Sequence, residues 1–317
     1  MAGEAFGRGS ALGLVREATW GTPLSRTNWL QIFSCTLQER TENAYINHLS
    51  TGQADFSDEY NVRTPCSGDL EVPLLYEGFG LLLEAAMGAA PAEGGGGGPN
   101  YVHTFNRGTL FNGLTAELIR GTSGKSEIFS GVVIPSWSIL FERGAVSRFT
   151  ASLLAEKATA TRSTAPTASF GGTVQARAML AHHVGSITWG SAYPAQRIEI
   201  SVDNKLERME DLGSLYTGQP GMGGYGEVSI RATISHRSDA LYNDYRSRTE
   251  QDLTFSATNG TQILAVTARN CRIRTAPSNI GGSGLITEEI EFAAKSDASD
   301  GALSFALTNT QATYGIN

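Results

Sequence analysis

The sequence predicts a mainly β protein: two tandem sandwich- or barrel-type β modules, each with a short flanking α-helix, and extended arms at both ends. Three observations carry this. Short stretches rich in Ile, Val, Thr and aromatic residues alternate apolar and polar positions, as half-buried strands do. Glycine is abundant, 37 of 317 residues, and falls between those stretches, where turns belong. The order strand, loop, strand, helix, strand, strand occurs twice, weakly in sequence but in the same succession, so one chain carries two copies of one unit.

Residues 1–30 are polar and Gly-rich, and Gly21 and Pro23 interrupt regular structure, so this stretch reads as an arm rather than a core strand. A strand is expected from Gln31 to about Thr41, where Ile32, Ser34, Thr36 and Gln38 oppose Phe33, Cys35, Leu37 and Glu39. A long polar loop follows, about 43–65, then the strand SGDLEVPLLY (67–76) and a helix-like stretch, 77–87. Residues 94–98 are consecutive glycines, which hold no single conformation cheaply and read as a flexible surface loop. Strands at 129–141 and 148–157 complete the first unit; in SWSILFER, Trp137, Ile139 and Phe141 alternate with Ser136, Ser138 and Glu142.

The Thr-, Ser- and Ala-rich segment TATRSTAPTASFGGT has no apolar period and reads as a linker. The second unit repeats the plan: strand RIEISVDNKLERM, a polar loop over about 210–224, strand YGEVSIRATI, a helix-like stretch at 239–248, and strands at 263–275 and 285–294. The resulting division is an N-terminal arm 1–30, first module 31–158, linker 159–173, second module 174–297 and C-terminal arm 298–317.

The formal net charge is −7, which argues against a sequence-specific DNA binder with a basic footprint. Three cysteines, Cys35, Cys66 and Cys271, cannot all pair within the chain and lack metal-site spacing, so reduced cytosolic folding is expected. The opening MAGEAFGRGSALGLV lacks the apolar core of a signal peptide, and no run reaches the ~20 apolar residues of a membrane helix, so the chain is expected to be soluble when made.

Several motifs fail on context. GMGGYG spells a dinucleotide fingerprint, but a strand rather than a helix follows, so it reads as a turn. GTSGKS resembles the end of a phosphate loop, yet Ile119 stands where the first glycine is needed and EIFSGVVI follows. The histidines (His48, His103, His182, His183, His236) have no ligand-spaced partners; on a strand, adjacent His182 and His183 would point to opposite faces. No nucleophile, base and acid constellation survives, so neither catalysis nor a metal or cofactor is expected. The acidic pair Glu288 and Glu289 reads most simply as a solvated strand face.

One phrase resembles a known family. In ALGLVREATWGTPLSRTN the residues Gly13, Glu17, Thr19, Trp20, Gly21, Thr22 and Pro23 are similar to a phrase near the N-terminus of the tail tube (major tail) proteins of long-tailed, non-contractile bacteriophages, and VVIPSWSILFERG is similar to a strand of the same proteins. The element order fits their plan too. The resemblance implies a structural virion subunit, made in the host bacterial cytoplasm, that polymerises as stacked rings around a channel for DNA ejection. Two modules in one chain imply trimeric, pseudo-hexameric rings. The implied partners are further copies of the chain, the tail terminator or neck and tail tip proteins, a tape measure protein in the lumen, and DNA only transiently and non-specifically, with no membrane.

Within that expectation, Glu199, Ser201, Glu289 and Glu291 are candidate lumen-facing residues, because they oppose the apolar positions 198–202 and 290–292. Trp20, Trp29 and Tyr314 are candidate anchors by which the arms grip a neighbouring subunit, ordering only in the tube. The alternative is an all-β receptor- or sugar-binding virion protein at the tail tip or capsid surface. It would favour clustered exposed aromatics, whereas Trp20, Trp29, Trp137 and Trp189 are scattered.

Overall fold

The computed structural model describes residues 7–26, 28–46, 58–95, 99–109, 112–121, 124–159, 163–168, 178–276, 286–297 and 300–314. Its first half contains β1 (Ala11–Arg16), β2 (Asn28–Gln31), β3 (Ser34–Cys35), β4 (Gln38–Glu39), β5 (Glu42–Ile46), β6 (Asp58–Arg63), β7 (Cys66–Pro73), α1 (Gly80–Met87), β8 (Ala92–Gly95), β9 (Tyr101–Asn106), β10 (Leu114–Ile119), β11 (Lys125–Glu142) and β12 (Arg148–Ala155). Short pieces β13 (Lys157–Ala158), β14 (Ser163–Thr164), β15 (Ile187–Trp189) and β16 (Ser191–Tyr193) bridge the halves. The second half runs β17 (Ala195–Asp203), β18 (Leu206–Met209), β19 (Gly218–Met222), β20 (Glu227–Ser235), α2 (Ala240–Ser247), β21 (Glu250–Asn259), β22 (Gln262–Thr275), β23 (Thr287–Ala293) and β24 (Leu303–Asn309).

All the pairings are antiparallel. In the first half, β7 lies between the β3/β4 strand and β12, and β12 lies beside β11. In the second, β20 lies between β17 and β23, and β23 lies beside β22. First, second, last, third: the same order holds in both halves. The halves are joined edge to edge, because β11 pairs with β17 from Ser136↔Asp203 to Glu142↔Arg197. The result is a mainly β protein with one continuous open sheet.

Alternation puts Trp137, Ile139 and Phe141 on the same buried side as Ile198, Ile200 and Val202, and one apolar cluster runs through both halves. Rings lock it together: Trp137 stacks on Phe149 with centroids 5.8 Å apart, and Phe141 meets Phe255 edge-on at 5.6 Å. Helix α1 (GLLLEAAM) is buried on every side and accepts a bond from Trp137 Nε1 at Ala86 O, 2.9 Å. Helix α2 (ALYNDYRS) buries only Leu241, since polar residues occupy the rest of its surface.

The ends depart from the expected arms. Strand β1 sits between β2 and β10, with Ala11, Leu12, Leu14 and Val15 buried. Strand β24 lies between β22 and β9. Strand β1 is apolar enough to be buried on both faces, and β24 alternates as a half-buried strand does, so each can complete a sheet that the rest of the chain leaves open. The first expected strand is broken where the chain crosses Gly68, whose missing Cβ would lie 2.5 Å from the Leu37 backbone, but its register on β7 resumes unchanged. The expected polar loop at 43–65 holds nearly all of the hairpin β5–β6, and that at 210–224 holds the tip and second strand of the hairpin β18–β19, whose first strand is the end of the expected strand RIEISVDNKLERM. Of the expected linker, Ser163–Thr164 pairs with Lys125 and Ser126 of β11; residues 160–162 and 169–173 lie outside the described residues.

Glu17 holds the N-terminal segment down. Its carboxylate is buried and accepts from Gly21 N (2.8 Å), Gly131 N (2.9 Å) and Thr115 Oγ1 (2.9 Å). Burial pushes the carboxyl up from its ordinary range, and these donors pull against that shift. Trp20 lies over Gly131, which has φ +62 and room for no Cβ, since one would stand 2.8 Å from the indole. Gly13 accommodates Trp29 in the same way. Replacing Glu17 by Ala orphans two buried donors, Gly131 N and Thr115 Oγ1, at about 1–3 kcal/mol each, and the part-buried Gly21 N, so urea unfolding should show a stability loss of about 2 kcal/mol or more. A change below about 1 kcal/mol would contradict this role for the carboxylate.

Candidate assembly surfaces

The sheet's second face is polar because each strand alternates. Across it, Glu71, Thr150, Ser138, Ser201 and Ser229 are successive cross-strand partners, a row of mostly small hydroxyls. The next rows contain Glu199 opposite Arg231 opposite Glu291, and Arg197 opposite Thr233 opposite Glu289. Glu199, Ser201, Glu289 and Glu291 therefore lie on one face of the sheet. A groove of about 400 Å³ follows the hydroxyl row, lined by Ser136, Ser138, Thr150, Ser152, Ser201 and Ser229.

Cations on this face are held by carboxylates. Arg148 reaches Glu71 at 2.7 Å, Arg197 reaches Glu199 at 2.9 Å, Arg231 reaches Glu291 at 3.8 Å and Lys205 reaches Asp203 at 2.7 Å. Burial works to raise the Asp203 carboxyl, but Lys205's bond and charge outweigh it and keep the group below its ordinary value. Arg274, near the end of β22, faces the same groove without a carboxylate at bridging distance among the described residues.

The three aromatic anchors are engaged within their own chain. Trp20 and Trp29 are half-buried over Gly131 and Gly13. Tyr314 is buried, stands edge-on to His103 at 4.7 Å and covers Gly80, where a Cβ would lie 2.2 Å from its ring. Its hydroxyl accepts from Asn309 Nδ2 at 2.5 Å. Sequence reading placed Tyr314 in a neighbour's groove; β24 carries it into this one instead.

Other expectations divide. Glu288 is buried and bonded to His236 Nδ1, not on a solvated face. His182 and His183 lie in a 3₁₀ turn with rings 4.4 Å apart, so they do not point to opposite faces; no group of three or more metal-ligating side chains occurs among the described residues. Gly221 and Met222 of GMGGYG end β19, and the remaining residues form the connection to β20. Lys125 of GTSGKS begins β11, while residues 122 and 123, like His48, lie outside the described residues.

Sequence reading missed the exposed apolar residues of the two hairpins. Tyr60 and Val62 on β6, Met209 on β18, Met222 on β19 and Leu212 at the β18–β19 tip all face outward. Alternation around Tyr60 and Val62 was the available signal.

Residues 7–294 match the protein family described as phage tail tube protein. The chain belongs to that family. None of the curated proteins compared with it matches. A structural role in the phage tail follows from the family, with self-assembly into a tube and a place in the virion tail. None of the described helices is long and apolar enough to cross a membrane.

The tail tube face and core should respond differently to mutation. Arg231→Ala removes an exposed ion pair and should change unfolding free energy by less than about 1 kcal/mol. Ile230→Ala, one residue along but fully buried, should cost about 2–4 kcal/mol in the same measurement.

Proposed function

We propose that this tail tube subunit closes into rings of three chains, that the rings stack, and that genomic DNA is ejected past the polar face of the sheet. The observation carrying this reading is the β11·β17 joint, in which the third strand of one half takes the first strand of the other as its neighbour. The same joint repeated from chain to chain brings the end of β22 beside the β3/β4 strand of the next copy. Six halves, two per chain, then close the ring and leave neither the β3/β4 strand nor the end of β22 as an unpaired edge.

Burial supports this repetition. In β17, flanked by β11, the core-side residues Ile198, Ile200 and Val202 are buried. At the corresponding outer strand of the first half, the core-packed Ile32 and Cys35 are only half-buried. An added strand would cover both. Particle reconstruction of assembled tubes should find three chains per ring; six would overturn the reading.

The polar face supports a DNA passage, and Glu199, Ser201, Glu289 and Glu291 are its proposed lumen-facing residues. Short hydroxyl side chains and arginines already held by carboxylates offer phosphates few free cations, and so little affinity through counterion release. The ends of such a tube would meet neck or terminator and tip proteins, and its lumen the tape measure protein before ejection. Replacing Glu289 and Glu291 by Lys should permit assembly but slow DNA ejection, with added salt easing the defect as attraction is screened. Ejection at the normal rate would remove these residues from the lumen.

A further inference from the structure

Strand β17 runs from a cavity at Ala195 to Asp203, where the chain leaves for the β18–β19 hairpin. These ends lie about 26 Å apart at ~3.3 Å per residue. What projects from one end complements what is recessed at the other.

At the Asp203 end, β5–β6 and β18–β19 brace each other. Arg63 binds Glu42 at 2.9 Å and Glu210 at 2.5 Å, and Thr64 N–H donates to Leu215 O at 2.9 Å. The braced tip projects Leu212 at 106% exposure, with Met209 and Tyr216 exposed around it and Glu207 and Asp211 supplying negative charge. An aliphatic side chain wholly in water gains nothing for its own fold, and a cluster of them marks a contact surface.

At the Ala195 end, a cavity of about 700 Å³ opens between the β11–β12 turn, the 3₁₀ turn Ala181–His183 and the start of β17. Phe141, Val146, Leu180 and Val184 give it an apolar lining, while Arg143 and Arg237 stand at its rim. Glu142 is the one carboxylate among its lining residues, and Arg197 is engaged by Glu199. Neither Arg143 nor Arg237 has a carboxylate at bridging distance among the described residues.

We infer that the Leu212 tip of one chain seats in the Phe141–Val184 cavity of a second copy in the adjacent ring, with Asp211 meeting the arginine rim. This rests on the proposed stacking of rings and names its contact. Apolar knob and apolar cavity match, acid faces base, and their opposite placement makes the contact heterologous. Such a contact does not close on itself and propagates as an open filament.

Cross-linking tests the contact without presupposing rings. Mixed L212C and V146C proteins should form an inter-chain disulfide dimer on oxidation, and neither variant alone should do so. In parallel, L212D and R143E/R237E should abolish tubes while native mass spectrometry still finds wild-type ring stoichiometry, and D211R should restore tubes to R143E/R237E. Failure of the mixed variants to cross-link, or normal tubes from L212D, would overturn the inference. Cross-linking with a ring size other than three would uphold this contact and reject the trimer.

Discussion

The constraint on which the rest depends is the backbone ladder between β11 and β17. It makes the two halves of the chain one sheet instead of two bodies on a tether. Because β11 spans Lys125–Glu142, one half of it serves β10, β13 and β14, and the other is shared by β12 and β17. The register of this ladder sends Trp137, Ile139 and Phe141 to the same side as Ile198, Ile200 and Val202. A slip of one residue would turn either set into water, so burial and backbone pairing enforce one register together.

Around that spine, the family-like phrase near the N-terminus acquires a packing meaning. Gly13 leaves room for Trp29, Glu17 gathers three donors, and Trp20 closes over Gly131. Arg16 adds a 2.5 Å bridge to Glu84 of the buried helix α1. The phrase fastens β1 into the sheet. At the other end Tyr314 does comparable work over Gly80 and His103, so both chain ends reinforce the subunit's own core.

The polar face shows how charge can be present without being available. Arg148, Arg197 and Arg231 are engaged by carboxylates, while Arg274 has none at bridging distance among the described residues, and the central row is mostly hydroxyl side chains too short to reach far from the sheet. A net charge of −7 is then distributed over a surface with little free cationic character along that row. By contrast, Arg143 and Arg237 at the end of the sheet have no such carboxylates beside them. The same residue type thus has different potential according to which strands register beside it.

Strand alternation in SWSILFER and RIEISV, the repeated order of elements, and the shared face of Glu199, Ser201, Glu289 and Glu291 were legible in the sequence, because period-two patterning is a local property. The sequence by itself therefore determined a mainly β chain with a recurring plan and two-faced strands. Three outcomes needed the tertiary structure: β1 and β24 inside the sheet, hairpin strands where polar loops were expected, and Tyr314 buried in its own chain. Each depends on long-range pairing, where a weakly apolar segment gains its stability only from the edge it happens to meet. Local composition records what a segment can form; the unpaired edge elsewhere in the chain decides whether it forms there.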